Sequence, residues 1–107
     1  MTPQARAEQV ASAMMAKDNA SRSLGMGVPH IAPGAATLTL RVSAEMLNGH
    51  NICHGGYIFT LADSAFAFAC NSYNRLTVAQ QNQITYISPG QLGELLTATA
   101  SETALTG

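Results

Sequence analysis

The stretch Asn48-Gly-His-Asn-Ile-Cys-His-Gly-Gly-Tyr-Ile-Phe-Thr-Leu-Ala-Asp63 runs a polar, glycine-containing turn straight into an apolar helix, and that helix carries one acid. Asp63 is the only charged residue between His54 and Arg75. Its surroundings, Tyr57-Ile-Phe-Thr-Leu-Ala-Asp-Ser-Ala-Phe-Ala-Phe-Ala-Cys70, hold no other ionisable carboxylate or cation. A carboxylate placed there is costly to bury unless it is paired, hydrogen-bonded or used. The segment from about 55 to 72 is apolar nearly all round, with Ile58, Phe59, Leu61, Ala62, Ala65, Phe66 and Phe68, and a helix of that kind is expected to be buried.

The elements on either side set the fold class. Thr2-Pro3 is a good helix start, and Ala7, Val10, Ala11 and Met14 follow helical spacing, so residues 3 to about 17 read as an amphipathic helix that Asp18-Asn-Ala-Ser ends. Residues 23–34, with Gly25, Gly27, Pro29, Pro33 and Gly34, read as a short strand plus a turn. Residues 35–47 alternate, with Leu38, Leu40 and Val42 on one face and Thr37, Thr39 and Arg41 on the other, as a half-buried strand does. After the central helix, residues 77–88 resume strand character. Residues 92–104 read as another strand, with Leu96, Ala98 and Ala100 against Thr97, Thr99 and Ser101. Strands on both sides of one long apolar helix predict an α+β domain, an antiparallel sheet wrapped around that helix. A sheet wrapping so apolar a helix wants a further strand, so the natural protein is expected to carry a C-terminal portion beyond Gly107.

Composition narrows the function classes. The 107 residues make one domain with a formal net charge of −1, and only 10% of them are charged. No basic cluster exists to neutralise phosphates, which argues against a nucleic-acid partner. The chain is 47% hydrophobic, yet its longest apolar run falls far short of the ~18–20 residues of a membrane span. The two cysteines, Cys53 and Cys70, form no disulfide framework, and the N-terminus lacks the pattern of a signal peptide, so a cytoplasmic location is expected. So few charges on so small a domain leave apolar surface for a second copy to cover.

Asn48, His50, His54, Gly55, Gly56 and Asp63 form one candidate site. Gly55 and Gly56 stand where the central helix begins, with its free N–H groups and the positive end of its dipole. Glycine lets a carbonyl approach those groups closely, an arrangement that stabilises negative charge on an acyl oxygen. Asn48 in the turn would add a side-chain N–H. Asp63 would be the nucleophile, or the general base that activates water. Gly55 and Asp63 are eight positions apart, roughly 12 Å along a helix axis, whereas a general base must lie within about 3 Å of its proton. One helix can hardly bring both to the same atom. Two antiparallel copies of the helix in a two-fold dimer would, each dimer then holding two composite sites.

The pattern Asn48-Gly-His-x-x-x-His-Gly-Gly-x-x-x-x-Leu-Ala-Asp63 resembles the signature of the hotdog-fold acyl-CoA thioesterases, and within them the phenylacetic-acid-degradation (PaaI) subgroup. The resemblance implies a hotdog fold, hydrolysis of phenylacetyl-CoA-type or related aryl or medium acyl thioesters, no cofactor beyond the CoA of the substrate, and a homodimer, further paired into a homotetramer. It implies that Asp63 is the nucleophile or base, that the Gly55 amide polarises the thioester carbonyl, that Asn48 helps hold that carbonyl, and that His54 fills the position before the two glycines. It also places a polar residue on the following strand to orient water, for which Gln81 is the match. The family's CoA contacts include strands beyond residue 107.

Plainer readings stand beside these. Asp63 would be merely structural if Ser64 or Asn71 capped it on an exposed stripe. Gly55-Gly56 would serve only as a tight start to the helix. His50-x-x-x-His54 is a metal spacing on a helix, but it lies in a turn and lacks a third ligand. His54 fits orienting the turn or the substrate better than acting as a base, and His50 divides evenly between site and structure. His30 reads as a surface loop residue, Cys53 as a small packed residue, and Tyr57, Phe66 and Phe68 as core or dimer interface. Two other functions remain: a hotdog enoyl-CoA hydratase, which would need a histidine after His54 that this chain lacks, and a non-catalytic acyl-CoA-binding oligomer, which would not need Asp63.

Overall fold

A computed structural model describes the backbone of residues 1–72, 78–86 and 91–106, with side-chain surroundings for 1–72 and 91–101. Helix α1 (Pro3–Lys17) starts as expected: the Thr2 hydroxyl accepts the Ala5 N–H at 3.0 Å and Pro3 occupies the first turn. The buried positions Ala7 and Ala11 are one helical turn apart, which gives α1 a narrow core-facing stripe. Asp18 does end α1, but it also begins a short helix α2 (Asn19–Ser23), which the sequence reading passes over.

Strand β1 (Gly27–Ala32) turns at 33–34 into β2 (Ala35–Arg41). The second strand ends earlier than the alternation predicts, because residues 44–46 close into a 3₁₀ turn that feeds the motif loop. His30 is exposed as expected, but it lies on β1 rather than in a loop. Helix α3 (Gly55–Asn71) follows, then β3 (Val78–Tyr86) and β4 (Leu95–Thr106). The strands form one antiparallel sheet in the order β1-β2-β4-β3. In the β2–β4 register Leu38 faces Ala98 and Leu40 faces Leu96.

The core lies between this sheet and α3. Leu38, Leu40, Leu96, Ala98 and Ala100 are buried on the sheet, and Leu61, Ala65, Phe68 and Ala69 on the helix. The alanines of β4 keep the sheet surface low where the helix crosses, so the Phe68 ring is fully enclosed. Burying a side chain of that size contributes about 1.5–3 kcal/mol. This is the layer arrangement that the hotdog resemblance implies.

One expectation about α3 needs correcting. The helix is not buried all round: Phe59 is 71% exposed and Phe66 38% exposed. Gly56, Phe59, Asp63 and Phe66, spaced by three, four and three residues, form a single exposed stripe opposite the core stripe Leu61–Ala65–Phe68. The sheet of this chain covers the core stripe, and the second apolar stripe is exposed.

Candidate functional site

The motif loop is held by its own polar groups. The Asn48 backbone N–H donates to the Ile52 carbonyl at 2.8 Å, and the Asn51 N–H to the Asn48 carbonyl at 3.0 Å. The Asn48 side chain closes the turn from inside, its Oδ1 accepting the N–H groups of His50 at 2.9 Å and Ile52 at 3.3 Å. Two backbone donors on one side-chain atom identify that atom as oxygen, so the amide orientation is fixed by the network. The Nδ2 group finds no acceptor among the described residues, which leaves its donors for something outside the loop. Asn51 sits at φ +63°, a left-handed conformation that asparagine tolerates better than most residues. The loop is tied to the sheet side by the His54 N–H on the Met46 carbonyl at 2.7 Å and by the bridge between Ile52 and Gln91.

His54 is the N-cap of α3. Its Nδ1 accepts the Gly56 N–H at 2.9 Å, so the proton of the neutral ring lies on Nε2. That role matches the reading of His54 as an orienting residue and takes Nδ1 out of base chemistry. Its ring meets Tyr57 edge-on, with centroids 6.4 Å apart. The cap also separates the two glycines. At Gly56 an added Cβ would lie 3.1 Å from His54 Nδ1, so Gly56 is small because the cap crowds it. At Gly55 an added Cβ would meet nothing within 4 Å. The Gly55 N–H has no acceptor among the described residues, and it stands at the positive end of the helix dipole. Nothing among the described residues requires Gly55 to be glycine, so the space there is open to an approaching group.

Asp63 lies eight residues further along α3, on the exposed stripe between Phe59 and Phe66. The stripe is exposed, as the plainer reading of this acid supposes, but neither Ser64 nor Asn71 caps it. The Ser64 hydroxyl is turned inward onto Ser21 at 2.8 Å, and the Asn71 amide donates to the Ala67 carbonyl at 2.8 Å. The chain therefore brings Asn48, His54, Gly55 and Gly56 together at one end of α3 and leaves Asp63 roughly 12 Å away. His50 is exposed, and only its backbone N–H is engaged, by Asn48. Gln81 lies on β3 opposite Ala104, and its side chain falls outside the described residues. Cys53 is buried beside the loop, its Sγ 3.6 Å from the His54 carbonyl; burial pushes its thiol pKa up, which suits a packed residue and not a nucleophile. Among the described residues no three His, Cys, Asp or Glu side chains gather where they could share a metal ion.

Sequence reasoning missed Asp18, Ser21 and Ser64. They meet across a separation of 43 residues and carry no local pattern.

Comparison with known proteins gives the family and supports the fold. The model of the thioesterase superfamily matches residues 50–107, which includes the start of α3 and Asp63. The acyl-coenzyme A thioesterase PaaI of Escherichia coli is 46% identical over 95 residues, a span covering 89% of this chain and 68% of that protein. Human acyl-coenzyme A thioesterase 13 is 35% identical over 95 residues, covering 86% of this chain and 68% of the relative. Among solved structures, the Escherichia coli PaaI protein from the phenylacetic acid degradation operon superposes with a TM-score of 0.82 at 44% identity, covering 94% of this chain and 72% of that one.

Proposed function

This chain belongs to the thioesterase superfamily, and we propose that it hydrolyses acyl-CoA thioesters of the phenylacetyl type, or related aryl or medium acyl groups, to the free acid and CoA. The observation that carries the reading is the exposed stripe of α3: an acid flanked by two bare phenylalanines, on the same helix as an unoccupied glycine N–H that lies too far away to share its substrate. A second copy laid antiparallel against that stripe covers Phe59 and Phe66 and sets each Asp63 toward the other subunit's Gly55. Two composite sites per dimer result, and pairing of dimers gives the tetramer. The low overall charge and the lack of a disulfide framework suit a cytoplasmic enzyme of this kind.

In such a site the thioester carbonyl oxygen takes the Gly55 N–H, with the Asn48 Nδ2 group as a second donor. Asp63 of the opposite subunit accepts a proton from water as that water attacks the carbonyl carbon. The tetrahedral oxyanion is held by the same donors and collapses, expelling the CoA thiolate, which takes up a proton. Alternatively, Asp63 attacks the carbonyl carbon directly and expels the CoA thiolate, and water hydrolyses the resulting anhydride to the free acid and the regenerated carboxylate. His54 keeps the Gly56 N–H occupied and so leaves Gly55 as the amide that points at substrate. Gln81 is the residue proposed to orient the water.

The test is release of free thiol from phenylacetyl-CoA. Asp63→Asn is expected to lower kcat by about 10²–10⁴-fold, the range for loss of a positioned general base, while the oligomer persists. Unchanged hydrolysis in that variant would remove Asp63 from the mechanism, whereas a parent protein that releases no thiol would leave a non-catalytic acyl-CoA-binding protein.

A further inference from the structure

All three buried polar side chains of the described residues are serines, and all three fasten α3 to the N-terminal half of the chain. At the C-terminal end of the helix, Ser72 Oγ accepts the Gly34 N–H at 2.7 Å and donates to the Ala69 carbonyl at 2.7 Å. In the middle, Ser64 Oγ lies 2.8 Å from Ser21 Oγ, and Ser21 Oγ lies 2.7 Å from Asp18 Oδ2. Asp18 also accepts the Ser21 backbone N–H on Oδ1 at 2.9 Å.

The direction of this second chain is forced. An ionised carboxylate only accepts, so Ser21 must donate its one proton to Asp18. Ser21 is then left as an acceptor toward α3, and Ser64 must donate to it. The Ser64 proton is thereby aimed at one point, the joint between α1 and α2, where Asp18 ends one helix and starts the next.

We propose that Ser64, Ser21 and Asp18 form a positioning relay that sets the rotation of α3 and so aims Asp63, the residue that directly precedes Ser64. The remaining seat of α3 is aliphatic: Leu38, Leu40, Ala98 and Ala100 press on it without directional bonds. Such a surface resists separation more than it resists a small turn of the helix. A hydroxyl–hydroxyl bond is directional, and breaking it leaves a buried donor unsatisfied. The helix surface lies about 5–6 Å from its axis, so a turn of about 10° moves a side chain tip by about 1 Å. A displacement of that size at a reacting group can cost about 100-fold in rate. Ser72 is the C-cap, one residue past α3, and its hydroxyl ties the end of the helix without seating a side chain on the helix surface.

This inference rests on the reading of Asp63 as the reacting acid, and its test separates the two. In thiol-release assays Ser64→Ala and Ser21→Ala are expected to lower kcat about 10–100-fold with KM changed less than about twofold. Ser64→Thr, which keeps the hydroxyl, is expected to recover most of that loss. Ser72→Ala removes an equally buried clamp and serves as the control: a comparable fall in Tm, with kcat within about threefold of the parent. Should Ser64→Ala not fold, Ser64→Cys, of nearly the same shape with a weak donor, carries the same expectation. A kcat for Ser64→Ala no lower than that of Ser72→Ala would overturn the relay. Amide exchange gives a readout that needs no turnover: Ser64→Ala is expected to speed exchange in the turn around Asp63 by about tenfold, and Ser72→Ala only in the last turn of α3. Parent-like exchange around Asp63 in Ser64→Ala would overturn the relay even if the parent protein released no thiol, an outcome that by itself would sink only the thioesterase reading.

Discussion

Phe68 and Phe59 stand nine residues apart on one helix, and their surroundings are opposite. Phe68 is enclosed in the core, whereas Phe59 stands bare on the surface. The two faces of α3 have nearly the same composition, yet only one contains an acid. The difference teaches where each face finds its partner. The Leu61–Ala65–Phe68 face is completed by this chain's own sheet and has nothing polar to offer. The Gly56–Phe59–Asp63–Phe66 face is exposed, and on the proposed reading a second copy completes it and shares the acid.

Substitutions on the two faces should therefore fail in different ways. Phe68→Ala is expected to cost about 3–5 kcal/mol of folding stability, because the sheet alanines cannot close the cavity. Chemical denaturation measures this, and a loss under about 1 kcal/mol would mean the core face is not the supporting one. Phe59→Ser should leave the secondary structure intact and instead weaken association, making Tm depend on protein concentration. Sedimentation over a range of concentrations reads that shift, and an unchanged oligomer would break the contrast between the faces.

Gly55→Ala sharpens the comparison at the helix start. With open space around the added methyl and helical backbone available, folding stability should hold or rise by about 0.5–1 kcal/mol. Thioester hydrolysis should nevertheless fall, because the methyl stands where an acyl oxygen must approach. Equal activity in the two proteins would remove Gly55 from the site.

The smallest effect is at Asp18. The Ser21 backbone N–H, and after it the Ser21 hydroxyl, hold its carboxyl below the usual carboxylate range, against a weaker opposing push from burial. A lowered folded pKa contributes stability that is present above the unfolded value near 3.8 and is lost as pH falls through the folded value. Melting curves from pH 6 down to pH 3 should show the parent protein losing more stability at the acid end than Asp18→Asn does. Parallel curves would show that Asp18 is not linked to folding.

How much of this was legible in the sequence follows from the range of each interaction. The order of elements, the alternation of Leu38, Leu40 and Val42, and the Thr2-Pro3 helix start are local patterns, and the structure repeats them. The cap at His54 was legible as a turn residue beside glycines. The five residues of α2 are too short for periodicity to register. The relay through Ser21 and Ser64 is a contact between distant parts of the chain, and neither serine stands out among its neighbours. The exposure of Phe59 was missed for a different reason. Hydrophobic periodicity reports that a residue is to be buried, but it does not report by which chain.

The composite nature of the site has a direct test in mixed oligomers. Asp63→Asn and Gly55→Val are each expected to be inactive in thiol release, one lacking the acid and the other blocking the amide. Refolding equal amounts of the two together makes about half of all dimers mixed, and each mixed dimer carries one site with both residues intact. Activity near a quarter of the parent value is therefore the predicted result. A mixture that stays at the background of the two separate variants would show that Gly55 and Asp63 do not serve one site across two subunits.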